Sequence, residues 1–358
     1  MDYQILCWER VFMDKQNTRI AIGIIVAAFL ILALLLRPKG HIESDSGYRQ
    51  VMGTFARIVA VAPDSGTAKN CIEAAFAELR QVDEMMSDYK SDSEISRVNR
   101  DAYKGPVKVS GPTFEVAQKA IYFSELSDGA FDITVGPLVD LWRLAAEANA
   151  VPTEAQLQQA RAKVGYEKLL LDANALTVRF AVEGMRLDMG GIAKGYAIDK
   201  AIEAMQKGGA LGGMVDVGGD IRCFGVPTRG KTHWLIGLQD PNRPEDWIDT
   251  SKPSLVLKLN DAAIATSGDY RRFVLIDGQK YSHILDTKTG RGGKGFSSVT
   301  IIAKKAVDAD ALATAVSVMG AEKGLALIQK LPDTEAILIS PRPEFKLVKT
   351  PGAENYLK

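Results

Sequence analysis

The sequence contains few of the residues that build metal clusters or disulfide frameworks, with three cysteines and three histidines among 358 residues. Cys7, Cys71 and Cys223 lie far apart and form no CxxC pair, so their spacing supports neither a zinc site nor a disulfide framework. If the body of the chain is exported, Cys71 and Cys223 are able to pair, but their unrelated sequence contexts favour isolated thiols.

The chain also lacks an excess of charge of either sign. Its 44 lysine and arginine residues balance 44 aspartate and glutamate residues. A neutral chain gives no electrostatic reason to bind nucleic acid, and we therefore expect no nucleic-acid partner. The length allows one large domain or two ordinary ones, with a sizeable core.

Residues 20–36 contain no charged or strongly polar side chain. A helix of this length spans roughly 25 Å, which is enough to cross a thin bilayer. The alternatives are a buried core helix, which usually keeps a polar stripe, and a cleaved signal peptide, for which residues 33–38 offer no small-x-small cleavage site. Basic residues before the run weakly favour a cytoplasmic N-terminus. We therefore predict a short cytoplasmic segment over 1–19, a transmembrane signal anchor over 20–36, a polar linker over 37–47 and an extracytoplasmic body over 48–358.

The body alternates helical and strand-like patterns without a convincing internal linker. Apolar residues at helical spacing predict helices over 67–87, 113–127 and 307–330, and Thr153 with Gln156 forms a capping box that predicts another. Strands mixed with long helices indicate a mixed α/β (α+β) body in which helices cover the sheets. Strand-like runs occur near 56–62, 176–191, 213–224, 234–239, 255–259, 263–266, 273–276 and 297–303.

Two glycine-containing motifs favour binding of an anion or a close backbone approach. In residues 187–196 (LDMGGIAKGY), a predicted strand leads through glycines into a helix over 193–207, which directs backbone N–H groups at an anion, and Lys194 adds a positive charge. In residues 215–221 (VDVGGDI), two glycines between β-branched residues suit a hairpin or a nearby ligand. A simple turn explains either motif equally well.

Three further motifs carry oxygen ligands, a histidine and an aromatic residue. Asp310 and Thr314 share one helix face and present hard oxygen ligands for magnesium, although a solvated aspartate explains the same spacing. His283, in residues 281–290, is the histidine set among polar residues before a glycine turn, where it is able to accept a proton or to serve structure alone. Residues 128–137 place an aromatic residue and two carboxylates in a loop that frames a planar ring or simply ends a helix.

The order and joint occurrence of these motifs resemble the ApbE family of FAD:protein FMN transferases. The resemblance runs from about residue 52 to residue 320 and implies that FAD is a substrate and Mg²⁺ a cofactor. One departure is Thr287, where the family more often has proline, which should alter turn stiffness without altering the chemistry. The matching segments are 52–54, 86–89 leading to 93–95, 128–132, 188–195, 217–220, 265–270, 283–290 and 310–314.

The resemblance also implies roles for individual residues. The side chains of Asp310 and Thr314 and the carbonyl of Gly191 are expected to hold magnesium, and His283 is the expected catalytic base. The residues expected to contact FAD are Met52, Tyr89, Ala130, Phe131, Asp132, Asp188, Lys194 and His283.

The implied reaction transfers FMN to a threonine or serine hydroxyl of an acceptor protein, with release of AMP. The expected acceptor is a subunit of a membrane redox complex, and the expected location is the bacterial inner membrane with the catalytic domain on the periplasmic side. Two alternatives remain open at this point. One is magnesium-dependent FAD hydrolysis to FMN and AMP, and the other is a flavin-binding protein without enzymatic activity.

Overall fold

The computed structural model describes residues 27, 41–227, 230–241, 255–268, 273–293, 296–341 and 346–358. The predicted segment 1–19 and, apart from residue 27, the predicted anchor 20–36 lie outside these residues, as do residues 269–270 of the family-like motifs. The fold described below is therefore that of the body, which forms one compact unit over His41–Lys358.

Helices and strands alternate through the body. The helices are α1 (Ser65–Met86), α2 (Glu94–Asp101), α3 (Gly111–Leu126), α4 (Gly136–Glu147), α5 (Glu154–Arg161), α6 (Ala193–Lys207) and α7 (Ala306–Ile328). The strands are β1 (Ile42–Val51), β2 (Thr54–Ala62), β3 (Val107–Lys108), β4 (Leu169–Asp172), β5 (Thr177–Phe180), β6 (Gly212–Val217), β7 (Asp220–Gly225), β8 (Trp234–Leu238), β9 (Leu255–Leu259), β10 (Ala262–Ser267), β11 (Phe273–Ile276), β12 (Gln279–Ser282), β13 (Leu285–Asp286), β14 (Arg291–Gly292), β15 (Ser298–Ala303), β16 (Glu335–Ile339) and β17 (Leu347–Lys349).

The main sheet has eight strands in the order β1-β2-β6-β7-β10-β15-β16-β17, and neighbouring strands run antiparallel. Alternate residues of β2 face opposite sides of this sheet, as the two-residue period of a strand requires. Ile58 and Ala60 join the core that contains α1, α6 and α7. Val59 and Val61 join a second core, in which the β8–β9 hairpin covers the other face. Helices therefore cover one face of the sheet and a hairpin covers the other.

Helix α7 packs against α6 and against strands β10 and β15 of the main sheet. It is long and apolar enough, by composition alone, to cross a membrane. Its first turns are almost wholly buried against the body, including Leu312 and Val316, so here the apolar composition reflects a core helix. Gly320, with φ of 77°, interrupts the helical backbone and marks a kink. A third, smaller core gathers residues of α4, α5 and the β11–β14 segment, such as Trp142 and Leu285.

The described elements confirm most of the periodicity-based predictions. Helix α6 spans the predicted range, and the capping box of Thr153 and Gln156 opens α5. Cys71 and Cys223 are both free thiols. Two expectations require correction. Residues 42–47, assigned to the linker 37–47, form the first half of β1, an edge strand whose polar residues face solvent. The strand predicted near 176–191 ends at Phe180. The segment that follows is irregular, and the Asn99 side chain rather than a neighbouring strand bonds to the backbone of Leu187.

Candidate active site

The N-terminal turns of α7 carry the two residues expected to bind magnesium. Asp310 is only 3% exposed, so it is not the solvated aspartate that the spacing alone also allowed. The helix start is fixed from α6, where the Asp199 carboxylate accepts hydrogen bonds from the N–H groups of Ala306 (2.9 Å) and Val307 (3.1 Å). A buried carboxylate at a helix N-terminus satisfies N–H groups that lack partners within the helix and interacts favourably with its dipole.

Helices α6 and α7 approach each other closely where the site begins. A Cβ atom on Gly195 would lie 2.3 Å from the carbonyl oxygen of Ala306, so only glycine fits at this position. The Gly195 N–H donates to Asp310 Oδ2 at 3.0 Å. A backbone N–H in the first turn of α6, which the sequence suggested for an anionic ligand, thus holds the Asp310 carboxylate instead.

At Gly191 the glycine motif packs against α7 and against the 128–132 loop that carries Phe131. A Cβ atom at Gly191 would lie 3.0 Å from Thr314 Oγ1 and 3.2 Å from Phe131 Cε2. The Thr314 hydroxyl and the Gly191 backbone are therefore neighbours, as a shared metal ion requires. Phe131 is buried and stands edge-to-face against Phe123, with ring centroids 6.3 Å apart, so it packs in the core beside the site.

Lys194 lies between two buried carboxylates. Its ammonium group pairs closely with Asp220 Oδ2 and lies 3.2 Å from Asp310 Oδ1. Burial by itself lowers the pKa of Lys194, but the two carboxylates outweigh this effect and the net pKa rises, which keeps the lysine charged. For Asp310, burial raises the pKa of the carboxyl, although Lys194 opposes this. Asp220 comes from the β6–β7 hairpin, whose Gly218 and Gly219 both have positive φ. Of the alternatives that the sequence left open for this motif, the structure shows the hairpin.

The segment that carries Asp188 is held in place by hydrogen bonds from both sides. The Asn99 side chain donates to the Leu187 carbonyl at 3.0 Å and accepts from the Leu187 N–H at 2.7 Å, as a neighbouring strand would. The Asp188 N–H donates to the Ile133 carbonyl at 2.7 Å, and its carboxylate accepts from the Gly190 N–H at 2.8 Å. These bonds fix the loop between Asp188 and the start of α6.

Asp132 is a buried carboxylate in the loop before α4. Its Oδ1 accepts from the Thr134 N–H (2.8 Å) and hydroxyl (2.7 Å). Burial raises the pKa of Asp132 to about 6, although the bonds from Thr134 act in the opposite direction. In this structure, then, the carboxylate stabilises its own loop, and Ala130 beside it is half-buried.

The segment that contains His283 is tied to the same loop. His283 is exposed at the bend between β12 and β13. The Thr287 hydroxyl donates to the Gly129 carbonyl at 2.8 Å, and Lys288 pairs with Asp128. The residue that departs from the family pattern, Thr287, therefore makes a hydrogen bond that proline is unable to make. At the other end of this segment, a Cβ atom on Gly293 would lie 3.0 Å from the Ser317 carbonyl of α7.

Met52 and Tyr89 are the remaining residues expected to contact FAD. Met52 and Gly53 form the turn between β1 and β2, and both have positive φ (52° and 67°), a conformation that non-glycine residues rarely adopt. Tyr89 follows α1 and is 88% exposed. The structure describes no direct contact between either side chain and the Lys194–Asp310 pair.

Among the expected metal ligands, the donor set fits a hard cation. No group of three or more histidine, cysteine, aspartate or glutamate side chains suited to a metal occurs in the described part of the chain. One carboxylate, one hydroxyl and one backbone carbonyl are oxygen ligands of the kind that magnesium takes, and magnesium usually completes its shell with water and substrate phosphates. Asp310, Thr314 and Gly191 therefore suit magnesium and do not suit a zinc cluster.

Two supporting residues, Asn99 and Asp199, have no signal in the sequence spacing, and a third, Asp220, has a motif that does not reveal its partner. Asn99 and Asp199 act on partners 88 and 107 or more residues away along the chain. Asp220 stands in the glycine hairpin motif, but its pairing with Lys194 depends on how β7 and α6 pack. Such contacts between distant segments become visible only in the folded chain.

Comparison with known proteins places these features in a family. The family model described as ApbE family matches residues 52–338. The FAD:protein FMN transferase of Vibrio cholerae is 36% identical over 308 residues, covering 85% of this chain and 89% of the relative. That of Treponema pallidum is 33% identical over 317 residues, covering 85% and 86%.

Solved structures show the same fold. The ApbE protein of Thermotoga maritima superposes with a TM-score of 0.77 at 31% identity, covering 89% of this chain and 99% of its own. The flavin transferase ApbE of Vibrio cholerae gives a TM-score of 0.75 at 32% identity, covering 88% of this chain and 100% of its own.

Proposed function

Because the chain belongs to the ApbE family, we propose that it is an FAD:protein FMN transferase, like the relatives that carry this name. The observation that carries the proposal is the placement of Lys194 and Asp310 beside the contact of Gly191 with Thr314. This arrangement offers one lysine for a diphosphate and three oxygen groups for a hard cation in one half-buried site.

The proposed reaction is a phosphoryl-group transfer at the diphosphate of FAD. The hydroxyl oxygen of an acceptor threonine or serine attacks the phosphorus of the FMN half. The bond from that phosphorus to the bridging oxygen breaks, and AMP leaves with the bridging oxygen. The product is FMN joined to the acceptor by a phosphoester, and the hydroxyl proton passes to a base.

Magnesium, when bound, neutralises charge on the diphosphate oxygens and so favours departure of AMP. Asp310 and Thr314 would hold it through their side-chain oxygens and Gly191 through its carbonyl. Lys194 supplies a second positive charge for the diphosphate.

His283 is the proposed base. Its support is its exposed position on a segment that Thr287 ties to the 128–132 loop, and a positioned histidine is able to accept a proton near neutral pH. We further propose that Met52, Tyr89, Ala130, Phe131, Asp132 and Asp188 line the FAD site, each through its backbone or side chain.

The proposed setting is the bacterial inner membrane, with residues 20–36 as an uncleaved anchor and the body on the periplasmic side. The support is the uncharged run and the missing cleavage site. The proposed acceptor is a subunit of a membrane redox complex, since such a protein lies at the same surface.

The test uses the full-length protein with FAD, magnesium and candidate membrane redox subunits. We expect a fluorescent flavin band that survives denaturing electrophoresis, with AMP released in equal amount. Asp310→Asn should abolish the band, whereas Asp308→Ala, two residues earlier on the same helix, should leave it. AMP without a flavin band would indicate FAD hydrolysis instead, and neither product would indicate flavin binding without catalysis.

A further inference from the structure

Lys194 faces one oxygen of Asp310, the carboxylate that is expected to hold magnesium. Of the two Asp310 oxygens, Oδ2 is held by the Gly195 N–H and Oδ1 faces the Lys194 ammonium at 3.2 Å. The backbone bond at Oδ2 belongs to the helix packing and is fixed. A cation that binds Asp310 through Oδ1 would compete with Lys194 for this oxygen.

Asp220 provides Lys194 with a second partner that the backbone also fixes. Asp220 is only 4% exposed, and its Oδ1 accepts from the Thr266 N–H of β10 at 3.0 Å. Its other oxygen, Oδ2, pairs with Lys194. The two carboxylates are therefore held by different elements, and the lysine between them is the member with a flexible four-carbon stem.

The charges of the three side chains predict how such a site responds to a divalent cation. One lysine and two carboxylates carry a net charge of −1, which repels a diphosphate. A bound Mg²⁺ changes this sum to +1, which attracts one. If Lys194 stays paired with Asp220 once the cation has bound Asp310, the charge of the lysine remains in the site and is available to the substrate.

We propose that Lys194 is a tethered cation that shields Asp310 in the metal-free protein, and that Asp220 is the positioning residue that retains Lys194 when a divalent cation takes Asp310. The inference rests on the proposed function for the identity of the cation. It adds that the lysine and the metal compete for one carboxylate oxygen, and that Asp220 decides how readily the lysine yields.

Magnesium binding to the full-length protein without FAD, measured by isothermal titration calorimetry at pH 8, tests this directly. Lys194→Met removes the competitor and should tighten magnesium binding, by on the order of tenfold. Asp220→Asn keeps an acceptor for the Thr266 N–H but weakens the hold on Lys194, so magnesium binding should weaken by several-fold. Lys200→Met on the same helix and Asp216→Asn in the same hairpin are matched controls, for which we expect unchanged binding.

The double variant separates positioning from simple charge. If Asp220 acts through Lys194, Asp220→Asn should have little further effect in the Lys194→Met background. An equal weakening in both backgrounds would show that Asp220 acts as a fixed charge or as a ligand, and it would overturn the proposal. If Asp220→Asn does not fold, Lys194→Met and Lys194→Gln alone decide, since unchanged or weaker magnesium binding in both contradicts the shielding role.

The transfer assay keeps the two proposals apart. Wild-type protein that transfers FMN while the variants lack the expected magnesium pattern would overturn only the role of Lys194 and Asp220. Wild-type protein that shows the magnesium pattern and transfers no FMN would overturn the proposed function and leave the charge competition in place.

Discussion

Asp132 and His283 stand on neighbouring loops but in opposite environments. Asp132 is buried and holds its own loop through Thr134, whereas His283 is exposed at a bend. The Thr287 hydroxyl bond to Gly129 joins the two loops. At the scale of single residues, the environment rather than the residue type decides which group serves structure and which is accessible to a substrate.

For His283 we predict a catalytic role that is separable from FAD binding. A threonine hydroxyl is a poor nucleophile near neutral pH, and a positioned general base typically contributes about 10²–10⁴-fold. His283→Ala should lower FMN transfer by roughly that factor, with little change in FAD affinity followed by flavin fluorescence. Near wild-type transfer with normal FAD binding would assign His283 a structural role and leave Asp286 as the next candidate base.

For Asp132 we predict a stability effect that depends on pH. Its folded-state pKa of about 6 exceeds the ordinary value of 3.8, so the folded protein binds this proton more tightly than the unfolded chain does. The free energy of unfolding therefore falls as pH rises between these values and stays lowered above pH 6. Asp132→Asn removes this effect. The free energy of unfolding of the variant minus that of wild type should therefore be about 2 kcal/mol higher at pH 7.5 than at pH 4.5.

Chemical denaturation at both pH values measures this difference. Asp128→Asn, in the same loop, is the matched control, because Asp128 is exposed and Lys288 lowers its pKa. The control should show no gain in stability at the higher pH. A relative stability of Asp132→Asn that is the same at pH 4.5 and pH 7.5 would contradict the raised pKa.

At the scale of elements, α7 depends on α6 for its N-terminus. The side chain of its N-cap residue, Lys305, makes no capping hydrogen bond. Asp199 supplies the acceptors instead, and Arg222 pairs with the same carboxylate at 2.6 Å. The orientation of the helix that carries Asp310 and Thr314 is thus set by a buried ion pair on its neighbours.

We therefore predict that Asp199→Ala lowers the free energy of unfolding by about 2–4 kcal/mol, since it leaves two helix N–H groups and the Arg222 charge without this partner. Asp64→Ala is the comparison, because Asp64 is an exposed N-cap of α1 that accepts from the Thr67 N–H at 2.9 Å, and it should cost about 1 kcal/mol. Denaturant titration measures both losses. Equal losses would show that the Asp199 bonds act as an ordinary surface cap.

At the scale of the whole molecule, the body is one three-layer unit whose cores lie on both faces of the main sheet. Its long apolar helix, α7, packs within this unit, and the proposed anchor is the N-terminal run instead. The uncharged residues 20–36 and the absence of a small-x-small site after them are the features that bear on membrane attachment.

We predict that the mature protein keeps this anchor. Intact-mass spectrometry of protein purified from bacterial membranes should give the mass of the uncleaved chain, and the protein should partition with the inner membrane. A mature N-terminus near residue 40 would mean that a signal peptidase removes the run and that the body is released.

The sequence by itself determined the elements with strong local periodicity. The range of α6 and the capping box of α5 follow from patterns that a few neighbouring residues carry. The same holds for the i and i+4 spacing of Asp310 and Thr314, because one helix turn fixes which residues share a face. The order of the motifs was sufficient to indicate the family.

The tertiary structure alone decided how those motifs combine. Contacts between segments that lie far apart in the sequence bury Asp310 and pair Lys194 with Asp220. Such a contact also forms the hydrogen bonds between Asn99 and the backbone of Leu187. The edge strand formed by residues 42–47 has no apolar face that periodicity detects, since its pairing with β2 supplies the order. Local patterns carry propensity, whereas these contacts depend on which surfaces meet when the helices pack on the sheet, and that is set by the core as a whole.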